Sequence, residues 1–113
     1  MLHSVEPKPL RMTHALVQVA AALMEEPHER HWGYDLAQRA GVSSNALYQI
    51  LARMHERGWL EDGWEEVDPK VKRPARRYYT ITSNGIARLG ALLANAARDR
   101  RFAALNLKPG LAQ

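Results

Sequence analysis

Apolar residues in this chain recur at helical spacing before they begin to alternate. Leu16, Val19, Ala20 and Leu23 follow that spacing and predict a first helix, capped by Thr13 and ended by Pro27. Residues 27–31 read as a loop. A short second helix is predicted from Gly33 to Ala40, with Tyr34, Ala37 and Ala40 on one side. Leu47, Ile50, Leu51 and Met54 form an i, i+3, i+4, i+7 stripe, predicting a third helix from Ser44 to Arg57 that Gly58 ends. Its opposite face carries Ser44, Asn45, Tyr48, Gln49 and Arg53. Between these two helices, Gly41 can take the left-handed conformation that ends one helix, Val42 can tuck into the core, and Ser43 can cap the next. That tight turn is the signature of a helix-turn-helix.

The period then shortens. Trp59 to Val67 reads as a strand with Gly63 as a bulge position, and Arg77 to Thr82 as a second strand rich in aromatic and β-branched residues. Tyr79, in phase with Ile81, is assigned to the core. Tyr78, in phase with Arg76 and Thr80, is placed on the other face, towards a nucleic-acid surface. Trp59 and Trp64 are assigned to packing at the strand base. Thr82 then caps a last helix predicted from Ser83 to Ala103. Ile86, Leu89, Leu93 and Ala96 form its apolar edge, which Leu92 and Ala97 widen. The stripe is wider than a small three-helix core needs, so Ile86, Leu89, Leu93, Ala96 and Ala97 are expected to meet a second copy of the chain.

The expected organisation is a flexible arm over 1–11, a winged helix-turn-helix over 12–82, a dimerisation helix over 83–103 and a tail over 104–113. The fold class is mainly α with a small β-hairpin wing. No internal repeat or low-complexity segment interrupts it.

Charge sharpens this picture. The 113 residues carry a net charge of +4, and residues 68–77 supply five cations and one acid, the same +4. A balanced body with one local basic patch suits a polyanionic partner. Lys70, Lys72, Arg73, Arg76 and Arg77, with Tyr78 beside them, sit at the expected hairpin tip, where they can pair with phosphates or enter the minor groove. Pro69 and Pro74 limit the loop's freedom. Ser43, Ser44, Asn45, Tyr48 and Gln49 lie in the N-terminal turns of the third helix, the part that reaches base edges in a major groove. Each set has a plainer reading, a solvated helix face or a solvated charge run. The order of helix, turn, helix and basic hairpin favours double-stranded DNA.

Other chemistries find little support. There is no Cys, so disulfides and thiolate-bound metal are excluded. His28 and His31, with Glu25, Glu26 and Glu29, resemble a metal cluster, but their spacing matches no strong motif and they read as a solvated loop. No cofactor is expected. Neither a Gly-rich phosphate cradle nor a nucleophile motif appears, which argues against an enzyme. No apolar run approaches membrane-spanning length and the N-terminus has no secretory pattern, so the expectation is a cytoplasmic protein.

Three segments resemble the PadR family of bacterial transcriptional regulators. They are Gly33-Tyr34-Asp35-Leu36, then Leu47 to Met54 followed by Gly58-Trp59-Leu60, and Arg73 to Thr82 with Gly85 after it. The resemblance covers roughly residues 12–103. It implies a winged helix-turn-helix with a C-terminal dimerisation helix, usually a dimeric repressor released by a small phenolic or drug-like ligand. Two positions depart from the family pattern. Lys72 stands where glycine often precedes the Arg-Pro of the wing, and the last helix offers only Phe102 as an aromatic, leaving Trp32 or the first helix to line any ligand site. A winged-helix protein-interaction module without specific DNA binding is the alternative, and the acidic stretch from Glu61 to Glu66 would suit it. A small-molecule sensor with a secondary DNA role is a third reading.

Overall fold

Four helices carry the hydrophobic core, and a three-stranded antiparallel sheet leans on one side of it. The computed structural model describes residues 10–105 and Leu107; the expected arm and tail lie mostly outside these. The elements are α1 (His14–Glu25), β1 (His31–Trp32), α2 (Gly33–Ala40), α3 (Ser44–Glu56), β2 (Leu60–Trp64), β3 (Arg77–Ile81) and α4 (Ser83–Ala97), followed by a 3₁₀ turn over Arg100–Leu105. The sheet order is β1-β3-β2.

Three of the four helix starts, all but that of α2, follow one device. Thr13, Ser43 and Thr82 each turn a hydroxyl oxygen inward to accept from the backbone N–H three residues on, at 3.1, 3.1 and 2.9 Å. Each satisfies a donor that the first helical turn leaves open. Gly41 and Gly58 end α2 and α3 at φ of 72° and 74°, where a Cβ is disfavoured. The Gly41 N–H returns to the carbonyls of Ala37 and Gln38, closing the helix before the turn. Leu16, Leu23, Leu36, Leu47, Leu51 and Leu89 are completely or almost completely buried where the helices meet.

The structure corrects several expectations. His31 is not a loop residue but forms, with Trp32, a short strand paired with Tyr79 and Tyr78. Tyr34 does not face inward. It is 73% exposed and accepts from Gln38 Nε2, while Leu36 takes the core position on α2. β2 stops at Trp64, short of Val67. It pairs with β3 without a break from Leu60↔Ile81 to Trp64↔Arg77, so Gly63 is no bulge. Gly63 is small for another reason: a Cβ there would lie 2.6 Å from the Tyr78 ring.

The last helix ends at Ala97, not Ala103. Asp99 accepts the Phe102 and Arg101 backbone N–H groups through its carbonyl and carboxylate and turns the chain into the 3₁₀ segment. Phe102 thereby folds back under the N-terminus of α1, edge-on to the His14 ring at 5.1 Å. It is buried in its own chain.

Candidate nucleic-acid interface

The helix-turn-helix presents its second helix, α3, with one side sunk in the core and the other open. Leu47, Ile50, Leu51 and Met54 are buried, while Ser44, Asn45, Tyr48, Gln49 and Arg53 are exposed. Ser43 is exposed too, but its hydroxyl oxygen already serves the helix cap. The Tyr48 ring tip lies over Gly33 at the start of α2: a Cβ there would fall 2.2 Å from its hydroxyl, so a larger residue would make the exposed phenol swing aside. What remains free along the first turns of α3 is a row of amide and hydroxyl groups that can both donate to and accept from base edges.

The wing is built around one carboxylate. Glu65 donates its N–H to the Arg76 carbonyl at 2.9 Å, extending the ladder past Trp64. Its Oε1 accepts from the Arg76 N–H at 3.1 Å and from the guanidinium groups of Arg73 and Arg76. The Arg73 hydrogen bond, more than any other contact, holds the Glu65 pKa down at about 2. Beyond this root, Asp68 forms the tip. Its carbonyl accepts from Val71 N and its Oδ1 from Lys70 N, both at 2.8 Å, with Pro69 supplying the fixed φ that such a turn favours. Lys70 and Lys72 project from it, exposed and, among the described residues, without an ion-pair partner.

The five basic wing residues are therefore not equivalent. Arg73 and Arg76 are tied to Glu65. Arg77 is tied to Asp62 on β2 at 2.7 Å, and the second Asp62 oxygen meets His55 Nε2 of α3 at 3.0 Å. The Arg77 hydrogen bond is the main cause of a lowered Asp62 pKa. These pairings were not legible in the sequence. They join residues 8 to 15 positions apart and depend on the strand register.

Register also sorts the wing by face. Arg77 and Tyr79 join Tyr48, Leu51, Ala52 and His55 around a shallow notch of about 200 Å³ between β3 and α3. Tyr79 is buried, as expected, and burial raises its pKa. Tyr78 lies on the sheet face turned away from α3. It meets Trp32 edge-on at 5.5 Å, lies 4.2 Å beneath the Arg30 guanidinium, and covers Gly63. Arg76 stacks over Trp32 on that same face. Trp59 is half-buried against the core, but Trp64 is 63% exposed and does not pack the strand base.

On α4, Leu89, Leu93 and Ala96 are buried within their own chain, with Leu92. Ile86 is half-buried and Ala97 exposed. The outer side of the helix presents small residues: Ala87, Gly90, Ala91 and Ala94 are exposed or half-buried.

Of the cluster expected to be solvated, Glu25, Glu26, His28 and Glu29 are exposed and His31 is the exception. His31 is 1% exposed, with Nε2 against the Glu26 carbonyl at 2.9 Å and Nδ1 against Arg39 at 3.0 Å. Among the described residues no group of His, Asp and Glu is placed to hold a metal ion. No helix among them is long and apolar enough to cross a membrane.

Comparison with known proteins fits this geometry. The profile of the transcriptional regulator PadR-like family matches residues 22–91. No curated protein matches the sequence significantly. Among solved structures, smu.1704 from Streptococcus mutans UA159 superimposes with a TM-score of 0.59 at 22% identity, over 79% of this chain and 83% of that one. A PadR family transcription regulator from hypervirulent Clostridium difficile R20291 gives 0.58 at 16% identity, over 76% and 88%. The circadian clock associated protein Pex from Anabaena gives 0.60 at 16% identity, over 90% of both chains. At these identities the likeness is one of fold.

Proposed function

The chain belongs to the transcriptional regulator PadR-like family, and from that premise we propose that it is a homodimeric, sequence-specific repressor. Membership and the winged-helix fold support a DNA-binding regulator rather than an enzyme. In this reading α3 enters the major groove, where Ser44, Asn45, Tyr48 and Gln49 read bases or fix register. The wing tip follows the neighbouring phosphates with Lys70 and Lys72, and Arg73, Arg76 and Arg77 join them by exchanging their carboxylate partners for phosphate. Tyr78 acts from behind, holding the wing root against Trp32. Ser43 sets the start of the reading helix.

The dimer rests on the outer side of α4. Leu89, Leu93 and Ala96 shape the helix from within, and Ile86 and Ala97 border the small-residue side where a second α4 can approach closely. Two-fold symmetry then calls for a palindromic site with half-sites about one turn, ~34 Å, apart. Release by a small-molecule effector, which the family resemblance implies, requires a cavity between subunits. The notch beside Tyr79 falls below the ~300 Å³ of an ordinary ligand pocket, and Phe102 is packed on its own α1.

The observation that carries the reading is the exposed amide and hydroxyl row on α3 beside a hairpin tip with two unpaired lysines. Footprinting of the DNA upstream of the gene tests it. The wild type should protect a palindrome, and Asn45→Ala with Gln49→Ala should bind that DNA no better than unrelated duplex. Equal protection by wild type and variant would sink the assignment of α3.

One observation favours a second reading. Asp62 shares the side of the wing that faces α3, and three of the five wing cations are already paired with acids. A protein-interaction module would use that mixed surface. Its mark would be a lack of affinity for any duplex even at low salt.

A further inference from the structure

We propose that Trp64 is a contact residue of the DNA interface, laying its indole against the sugar-phosphate strand between the groove that α3 enters and the wing tip. The inference rests on the DNA-binding reading above and adds a side chain that the basic patch does not include. Three observations carry it.

The first is exposure without a partner. The chain has three tryptophans. Trp32 meets the Tyr78 ring, and Trp59 is half-buried against the core. Trp64 is 63% exposed, and among the described residues its ring makes no aromatic or cation contact and its indole N–H no hydrogen bond. Burying a tryptophan is among the largest apolar gains a side chain offers, so an unpartnered one on a strand stands ready for a surface that comes from outside.

The second is its face. Trp64 pairs directly with Arg77, and residues directly opposite in an antiparallel pair share a face. Arg77 faces α3 across the notch, as does Tyr79. Trp64 therefore looks to the α3 side of the wing, on the same rung as Arg77 at the end of the paired ladder nearest the lysine tip. It does not join the Tyr78 and Trp32 cluster on the reverse.

The third is charge. Of the acids within two residues of Trp64, Asp62 is engaged by Arg77 and His55 and Glu65 by Arg73 and Arg76, while Glu66 is exposed and, among the described residues, without an ion-pair partner. A phosphate strand approaching Trp64 meets two paired carboxylates, the unpaired Glu66, and the two unpaired lysines ahead. The flat apolar ring suits a deoxyribose, and the indole N–H, a donor only, suits a phosphate oxygen.

A non-ionic contact and an ionic one separate in a salt series. Each phosphate neutralised by a lysine or arginine contributes about −0.9 to the slope of log affinity against log salt, whereas an uncharged contact, the indole N–H on a phosphate oxygen included, releases no counterion and shifts affinity equally at all salts. The test is fluorescence anisotropy with a labelled duplex from upstream of the gene, using wild type, Trp64→Ala, Trp64→Phe and Lys70→Ala with Lys72→Ala. Circular dichroism serves as the check on folding. Trp64→Ala should bind about tenfold more weakly at every salt with the wild-type slope, and Trp64→Phe should recover most of the loss. The lysine variant should show a shallower slope. Trp64→Ala binding as tightly as wild type would overturn the inference and leave the DNA-binding reading standing. A reduced slope in Trp64→Ala, or a loss of dimer by sedimentation, would overturn it in favour of a displaced wing or a contact between copies. If the wild type bound no duplex, the DNA-binding reading would fail first and this inference with it.

Discussion

Arg39 donates to Nδ1 of His31 across 3.0 Å, inside the junction of α1, α2 and β1. That contact leaves Nε2 as the protonated nitrogen, donating to the Glu26 carbonyl. Arg39 itself is fixed by the Ala22 carbonyl and by Asp35. The ring is held neutral: a second proton would sit at Nδ1, facing a guanidinium. Burial, more than any other cause, lowers the His31 pKa, and the nearby Arg39 charge adds to it, against opposition from the Glu26 carbonyl and the charges of Glu26 and Asp35.

Stability should therefore depend on pH in a defined direction. The unfolded His31 takes up a proton near its ordinary value of ~6.5, and the folded one only at lower pH. In that interval the unfolded chain binds more protons, so the His31 contribution is fully present above about pH 6.5 and declines below it, by at most ~1.4 kcal/mol per pH unit. Urea unfolding of wild type and His31→Gln between pH 7.5 and 5 reads this out. The gap between the two should narrow as pH falls. A constant gap would mean that the ring takes its proton without cost in the folded protein.

Two glycines of α4 should respond to alanine with opposite signs. At Gly85 a Cβ would meet the Trp59 carbonyl oxygen at 2.0 Å and Ile81 Cγ2 at 2.8 Å. Backbone cannot swing aside, so Gly85→Ala should cost roughly 3 kcal/mol. At Gly90 nothing lies within 4 Å. Gly90→Ala should stabilise the monomeric unit by about 0.5–1 kcal/mol, as alanine does in an open helix interior. Thermal melts of both variants decide it. A mild Gly85→Ala would show that the start of α4 is not seated against Trp59 and Ile81.

The helices were legible in the sequence and the wing's inner wiring was not. Thr13, Ser43 and Thr82 announce their helices because a hydroxyl before an apolar period has one use there, and all three perform it. Leu47 to Met54 give the inward face of α3 because four apolar residues at that spacing leave no other choice. β1 escaped because two residues make no period. The end of α4 escaped because nothing local announces that Asp99 caps a new turn and Phe102 returns to His14. Tyr34 misled because its ring is apolar, although its hydroxyl keeps it in water with Gln38. The pairing of Arg73 and Arg76 with Glu65, and of Arg77 with Asp62, belongs to strand register. A composition that reads as five free cations thus contains two.

Glu65 gives that wiring a pH signature. Its carboxyl should titrate near 2, against about 4.5 for an ordinary glutamate, so its hold on the wing is present above about pH 4.5 and lost as pH falls towards 2. Side-chain carboxyl NMR between pH 6 and 1.5 should place its midpoint below 3, and the Arg76 amide should shift with it. A midpoint near 4.5 would mean that Arg73 and Arg76 are not bound to it in solution.

The two unpaired lysines should carry the largest electrostatic share per residue. Lys70→Ala and Lys72→Ala should each lower the salt slope by about 0.9. Arg76→Ala with Arg77→Ala should weaken binding too, but by less per charge removed, since each of these arginines must give up its carboxylate partner to meet phosphate. Equal losses per charge would show that Glu65 and Asp62 do not compete with phosphate.

A winged helix that reads a DNA sequence must tell its own upstream duplex from a scrambled one. Fluorescence anisotropy of the wild type on duplex from upstream of its own gene, against a scrambled duplex and across a salt series, tests it most directly. The expected result is tighter binding to the upstream duplex, with a salt slope of several units that reflects lysines and arginines on phosphate. No binding to either duplex at low salt would contradict it and leave the mixed surface around Asp62 and Glu65 as a site for a protein partner.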